Sequence, residues 1–191
     1  TGRFDLLLQN SFKQGEELSV KWRALENSSQ ELELALNYPF LFFEKVGLNT
    51  NFYLYKQDTS FLNTKLELGF PFYIDSYQSI GLIAGFESST PISDMQSSQN
   101  IFSEYQKQTY GLNYTYKRLD YPLNATNGYY MNFSASLGRK QNILYKEFSD
   151  EEYKERSIIS EILFESSIYK PFFGNWIVKV SNYTGWMNKY N

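Results

Sequence analysis

"YKRLDYPLNATNGYYMNFSASLG" occupies Tyr116–Gly138, and its second half decides the fold. A polar segment carrying Asp120, Pro122, Asn124, Thr126, Asn127 and Gly128 feeds directly into an alternating run. Tyr129, Met131, Phe133, Ala135 and Leu137 fall on one side of that run, and Tyr130, Asn132, Ser134, Ser136 and Gly138 on the other. A period of two is the signature of a strand with one apolar and one polar surface. Proline fixes φ and Asn-Gly tolerates positive φ, so the segment before the run reads as a turn. Alternation alone leaves open whether the apolar side meets a protein core or lipid.

The same pattern recurs along the chain. Leu18, Val20, Trp22 and Ala24 oppose Ser19, Lys21 and Arg23; Leu32, Leu34, Leu36, Tyr38, Phe40 and Phe42 oppose Glu33, Ala35, Asn37 and Pro39. Leu48, Phe52 and Leu54 oppose Asn49 and Asn51, and Leu66, Leu68, Phe70 and Phe72 oppose Lys65, Glu67 and Gly69. Ile80, Leu82, Ala84 and Phe86 form another run, as do Tyr110, Leu112, Tyr114 and Tyr116. Near the end, Ile158, Ile162, Phe164 and Ile168 oppose Glu161 and Glu165, and Trp176, Val178 and Val180 oppose Lys179. With Phe4–Asn10 and the run after Gly128, about ten strands are predicted, and helical periodicity competes nowhere.

Composition removes several function classes. The chain has 191 residues, with 18 Lys+Arg against 21 Asp+Glu and a net charge of -3. It shows no basic cluster suited to a nucleic acid backbone. Cysteine and histidine are both absent, which removes thiolate chemistry, the Ser-His hydrolase arrangement and the commonest metal ligand. No apolar run approaches the ~20 residues of a membrane-spanning helix. The chain opens on Thr1 with no signal-peptide pattern, so it is expected to be a mature or excised segment. Asp150, Glu151 and Glu152, with Asp94 and Glu104, read as acidic solvated loops rather than a metal site. Neither a catalytic constellation nor a cofactor-binding motif is expected.

Strand length and connection length narrow the fold. Most alternating runs span about 10 to 13 residues, whereas soluble strands cluster at ~5–6 and a tilted strand crossing a bilayer needs ~9–11. Short connections fall near 11–15, 43–45, 73–76, 118–127 and 171–175. The opposite end carries 26–30 and 57–60 and the long polar stretches Ser88–Glu104 and Lys140–Arg156. Short turns at one end and long loops at the other describe an antiparallel transmembrane β-barrel, with the long stretches extracellular and mobile. Aromatics make up 19% of the chain. Tyr38, Phe40, Phe42, Phe43, Phe70, Phe72, Tyr73, Phe172, Phe173, Trp176 and Trp186 suit an interfacial girdle. Leu48, Phe52, Leu66, Leu68, Leu82, Phe86 and Phe133 are therefore predicted to face lipid. Asn49, Lys65, Glu67, Glu161, Glu165 and Lys179 are predicted to face a water-filled lumen. The competing architecture is a soluble β-sandwich or barrel used as a binding module, which would have to place those charged residues in a filled interior.

Three stretches resemble the barrel of the BamA/TamA outer-membrane assembly superfamily, in the form found in Bacteroidota-like bacteria. "GRFDLLLQNSFKQGEELSVKWRA" (2–24) looks like the family's strand–turn–strand with an N-x-x-x-G-E-like turn. "LELALNYPFLFFEKVGLNTNFYLYKQDTSF" (32–61) carries an N-Y-P-F step similar to the family's Asn-Pro-Tyr turn. Asp120, Pro122, Thr126, Asn127 and Gly128 resemble its Asp-x-x-x-x-Pro-Thr-x-Gly turn, with three residues between Pro and Thr where the family has none.

The resemblance implies that residues 1–191 are a partial barrel domain, similar to the second through eleventh of sixteen strands. It contains no POTRA repeats, no Arg-Gly-Phe lid-loop motif and no final strand. It further implies a non-enzymatic factor of the bacterial outer membrane that inserts or translocates other proteins by pairing client strands at a barrel seam. Its expected partners are outer-membrane lipid and lipopolysaccharide, client outer-membrane proteins and accessory assembly subunits. Ten strands of sixteen would not close on themselves. A passive porin or partner-secretion channel is the alternative within membranes.

Overall fold

The structure, a computed structural model, describes residues 2–26, 28–41, 45–58, 60–92, 103–121, 124–145, 152–174 and 176–190. Ten strands follow one another in chain order: β1 (Gly2–Gln9), β2 (Glu17–Ala24), β3 (Gln30–Tyr38), β4 (Leu48–Gln57), β5 (Phe61–Tyr73), β6 (Gln78–Pro91), β7 (Ser103–Leu119), β8 (Gly128–Tyr145), β9 (Glu152–Phe173) and β10 (Trp176–Tyr190). They form a single antiparallel sheet in the order β1-β2-β3-β4-β5-β6-β7-β8-β9-β10, with no helix among the described residues. Each strand pairs only with its sequence neighbours, so β1 and β10 are edges and the sheet is not closed into a barrel.

An up-and-down meander places successive connections at alternate ends. Connections 10–16, 39–47, 74–77, 120–127 and 174–175 share one end, which we call the turn end; 25–29, 58–60, 92–102 and 146–151 share the other, the loop end. Proline shapes the boundary of β3. Pro39 has no N–H to give a ladder, so β3 stops at Tyr38 although the apolar alternation runs on to Phe40. Val46 survives as an isolated bridge to Phe72.

Where they are described, the stretches Ser88–Glu104 and Lys140–Arg156 are strand apart from Ile92, which corrects the reading of 88–91, 103–104, 140–145 and 152–156 as loop. β6 runs to Pro91, β7 begins at Ser103, β8 ends at Tyr145 and β9 begins at Glu152. The ladder of backbone bonds requires only paired N–H and C=O groups, and the polar residues Ser88, Gln106, Gln141 and Arg156 stay in register across four strands. Apolar periodicity disappears there while pairing continues. Residues 93–102 and 146–151, on which the rest of those two stretches falls, lie outside the described residues, as do Phe42, Phe43 and Pro122.

Trp186 also departs from expectation. It lies in the interior of β10, opposite Ile162, and not at a strand end. Above Val180 the alternation of β10 weakens, because Asn182, Thr184 and Asn188 share the side that carries Val178 and Val180.

One sheet with nothing packed on it has no core. A compact folded chain of this mass exposes roughly 9,500 Å²; this one exposes 13995 Å². Among the described residues only Ile143 and Ile159 are buried apolar side chains. Something other than this chain's own described residues must cover its apolar surface.

Candidate functional site: two unlike faces and two open edges

Directly paired residues in an antiparallel sheet lie on the same face, so the register assigns every side chain to a side. Leu48, Phe52, Leu66, Leu68, Leu82, Phe86 and Phe133 all stand on one face. Rows of apolar residues cross it without interruption: Phe70–Leu82–Leu112–Ala135–Ile162–Trp186, and next to it Phe72–Ile80–Tyr114–Phe133–Phe164. These side chains point outward uncovered, with Leu82 at 61% and Leu137 at 65% exposure. On β9 the outward apolar residues Ile158, Ile162, Phe164 and Ile168, with Ser160 and Ser166 between them, form a run bounded by Arg156 and Lys170. At ~3.3 Å per residue and a tilt of ~40° that run is about 25 Å tall, the height of the apolar band on a transmembrane barrel.

The opposite face is polar and concave. Asn49, Lys65, Glu67, Glu161, Glu165 and Lys179 all stand on it. It wraps a cavity of about 700 Å³ whose lining runs from Asn49 on β4 to Tyr183 on β10 and includes Lys65, Glu67, Thr109 and Glu161. Lys65 Nζ pairs with Glu67 at 2.8 Å, and Lys107 reaches over β8 to Glu161. Tyr105 donates its hydroxyl to Glu87 at 2.5 Å while the Lys140 ammonium sits 4.5 Å from the centre of the Tyr105 ring. Tyr130 donates to Glu165 at 3.4 Å, and Lys179 lies 5.3 Å from the Tyr169 ring centre. Asn113 Nδ2 and Thr115 Oγ1 both donate to Asn132 Oδ1. Glu161 and Glu165 share a strand face, yet each is committed to a different neighbour, one to a lysine and one to a tyrosine. Their arrangement is that of a polar lining rather than a cooperating acid–base pair.

Lys107, Tyr105 and Glu87 belong to this lining but are not among the residues predicted for it. Tyr105 and Lys107 stand where β7 has no apolar partner positions to betray the alternation; only the pairing of Tyr105 with Ser89 and Asn142 places them.

Glycine sets the curvature. Gly69, Gly81, Gly85, Gly111, Gly138 and Gly185 all fall on the polar face. A Cβ at Gly111 would sit 2.7 Å from Ser136 Cα and collide with the Ala135 carbonyl oxygen; one at Gly138 would collide with the Gln108 carbonyl oxygen. Missing side chains on one face let neighbouring strands approach there and the sheet bend toward it.

Two turn-end connections are fixed by carboxylates. Between β1 and β2, Glu16 accepts the amides of Phe12 and Gln14, and Asn10 Oδ1 accepts the Gly15 amide at 2.9 Å. Burial acts to raise the Glu16 pKa, but the amides lower it further, so the net shift is downward. Between β7 and β8, Asp120 accepts from the Thr126 hydroxyl and from the amides of Tyr121, Thr126 and Asn127. These donors, the Thr126 hydroxyl foremost, hold the Asp120 carboxyl down at about 2. A depressed carboxyl stabilises the fold above its unfolded value of ~3.9, and that contribution is lost as pH falls through about 2. Asp120→Asn is therefore expected to flatten the fall in stability between about pH 4 and about pH 2. Unfolding midpoints measured across that window check this; an unchanged slope would show that the turn does not carry it.

The edges complete the site. β1 and β10 each leave one row of N–H and C=O groups without a neighbouring strand among the described residues. Such rows are templates for pairing with further strands. Comparison with known proteins finds no match for this chain, whether among family models, curated proteins or solved structures.

Proposed function

We propose that this chain is the wall of a transmembrane β-barrel in the outer membrane of a Gram-negative bacterium, belonging to a non-enzymatic factor that inserts or translocates other outer-membrane proteins. The observation that carries the membrane part is the uncovered outward apolar face, about 25 Å tall on β9, backed by a concave polar face with no core between them. A soluble sandwich would need a second apolar layer, and no such layer is present among the described residues. On this reading β1 and β10 continue, at their open edges, into further strands of a larger cylinder. Lipid and lipopolysaccharide surround it, client proteins and accessory assembly subunits act on it, and neither a cofactor nor a nucleic acid takes part.

The assembly role rests on the resemblance of the turns at 10–16, 37–40 and 120–128 to those of the BamA/TamA superfamily. A passive porin or secretion channel is favoured instead by the polar concave cavity taken alone. Depleting the protein in cells separates the two: a fall in the folded levels of several other outer-membrane proteins is expected for an assembly factor. Loss of small-solute uptake with those levels unchanged would replace assembly with passive transport.

The membrane placement has its own test. The chain is free of cysteine, so single cysteines report cleanly. Probes at Leu82, Leu112 and Phe133 are expected to be quenched by labelled acyl chains. Cysteines at Asn49 and Ser134 should instead react with a water-soluble maleimide. Equal aqueous reactivity of both sets would rule the membrane out.

A further inference from the structure

The outward surface changes character part-way along the longest strands. The row Phe52–Leu66–Phe86–Gln108–Arg139–Ile158 is the last in which apolar residues predominate. The next row toward the loop end is Leu54 on β4 but polar from β5 to β9, Thr64–Ser88–Gln106–Gln141–Arg156, and the Thr64 and Ser88 hydroxyls are hydrogen-bonded at 2.7 Å. The ladder does not stop at this boundary. β9 has 22 residues, about twice the ~11 that cross a bilayer, and β8 and β9 stay paired past Arg156 to Ile143 and Lys154. A paired ribbon of β7, β8 and β9 therefore projects beyond the apolar band.

The outward side of that ribbon is basic and rich in amides. Arg139, Lys154 and Arg156 are all exposed on it, interleaved with Gln106, Gln108 and Gln141. Glu104, further along β7, accepts a hydrogen bond from Gln106 Nε2 at 3.3 Å. The lining cations on the inward side are answered from within the chain: Lys107 by Glu161, Lys189 by Glu155 at 3.3 Å, Lys140 by the Tyr105 ring. Arg139 and Arg156 form no ion pair among the described residues. Two guanidiniums, Arg139 in the last apolar row and Arg156 in the row beyond it, would lie close to the depth of lipid phosphates, and their planar forks suit phosphate oxygens.

We infer that the outward face of β7–β9, immediately beyond the apolar band, docks the phosphorylated sugar headgroup of a membrane glycolipid. Arg139 and Arg156 take its phosphates, and the amides of Gln106 and Gln141 take its sugar hydroxyls. A glycolipid is favoured over a simple phospholipid by the height of the ribbon and by its glutamines. A phospholipid headgroup is thin and offers few hydroxyls, whereas the paired surface continues past Arg156 to the row of Glu104, Ile143 and Lys154. The inference rests on the membrane reading above and assigns the partner of its loop-end rim.

The test uses the full-length protein in neutral detergent micelles, with a fluorescent bisphosphorylated glycolipid as probe. Arg139→Gln and Arg156→Gln together are expected to weaken binding about twenty-five-fold, and Arg156→Gln alone roughly fivefold. Arg118→Gln with Lys170→Gln, on the outward face at the turn end, is expected to leave it unchanged. Far-UV circular dichroism confirms that each variant folds, and the single variant remains informative if the double one does not. Wild-type affinity in the loop-end variants would overturn the inference. So would an equal loss in the turn-end variant, which marks general attraction to positive charge, or equal competition by phosphatidylglycerol, which shows that a thin anionic headgroup suffices. Insertion into phosphatidylcholine vesicles separates the two levels. A protein that inserts but fails these arms loses only the docking surface, whereas one that does not insert loses the membrane reading and the inference with it.

Discussion

Valine at Gly138 is expected to abolish folding of this sheet or to destabilise it by about 3 kcal/mol or more. The position faces the concave side, opposite Thr109. A Cβ there would enter the space of the Gln108 carbonyl oxygen and approach Thr109 Cγ2 to 2.7 Å. The carbonyl belongs to the ladder between β7 and β8 and cannot turn aside without breaking it. Relief then requires flattening the sheet, which strips the concave face of the contacts that join β7 to β9, among them the pairing of Lys107 with Glu161. Intrinsic strand propensity predicts the opposite sign, since valine favours strands and glycine does not. The comparison is sharpened by Gly69 and Gly185 on the same face. A Cβ at these positions meets nothing nearer than Asn49 Cβ at 3.6 Å or Leu163 Cδ1 at 3.7 Å, so Gly69→Ala and Gly185→Ala should stay within about 0.5 kcal/mol of the parent. Denaturant unfolding of the four proteins in one micelle system decides it, and a Gly138→Val protein as stable as its parent would dismiss the curvature argument.

What the residues announced in advance, and what they did not, follows one physical rule. Alternation is visible wherever one face demands apolar side chains, so the strand after Gly128 and the opposition of Leu66 and Leu68 to Lys65 and Glu67 were readable directly. The rule falls silent where both faces are wet. There the ladder between Ser88, Gln106, Gln141 and Arg156 persists on backbone bonds alone, and no side-chain pattern records it. Two members of the polar lining, Tyr105 and Lys107, were hidden for the same reason. Proline acted in the other direction: Pro39 ended β3 although Phe40 continued the apolar beat. β10 blurs because Asn182 and Thr184 stand on the side that carries Val180 while Tyr183 and Met187 stand on the polar side.

Lysine at Leu112 should have a large effect of a different origin. Leu112 lies between Leu82 and Ala135 in the middle row of the outward face and is 55% exposed. For a soluble protein, lysine at so open a position is nearly neutral, and it even improves the surface by interrupting an apolar patch. For a strand in lipid the same ammonium must be carried to the bilayer midplane, which destabilises a barrel by about 2–4 kcal/mol. The two readings therefore differ in magnitude at one residue. Asn113→Lys, one position along and on the concave side, supplies the internal reference. It should change stability by about 0.5 kcal/mol or less, apart from losing its hydrogen bond to Asn132. Depth supplies a second reference, since the penalty falls to about 0–1 kcal/mol near the interface. Gln108→Lys, beside Arg139 at the upper limit of the apolar band, should accordingly be tolerated. Unfolding free energies for the three variants in lipid vesicles give a profile along β7 that rises from Gln108 to Leu112 and collapses at Asn113. A flat profile would mean that the outward face of this sheet meets water, or a protein partner, and not acyl chains.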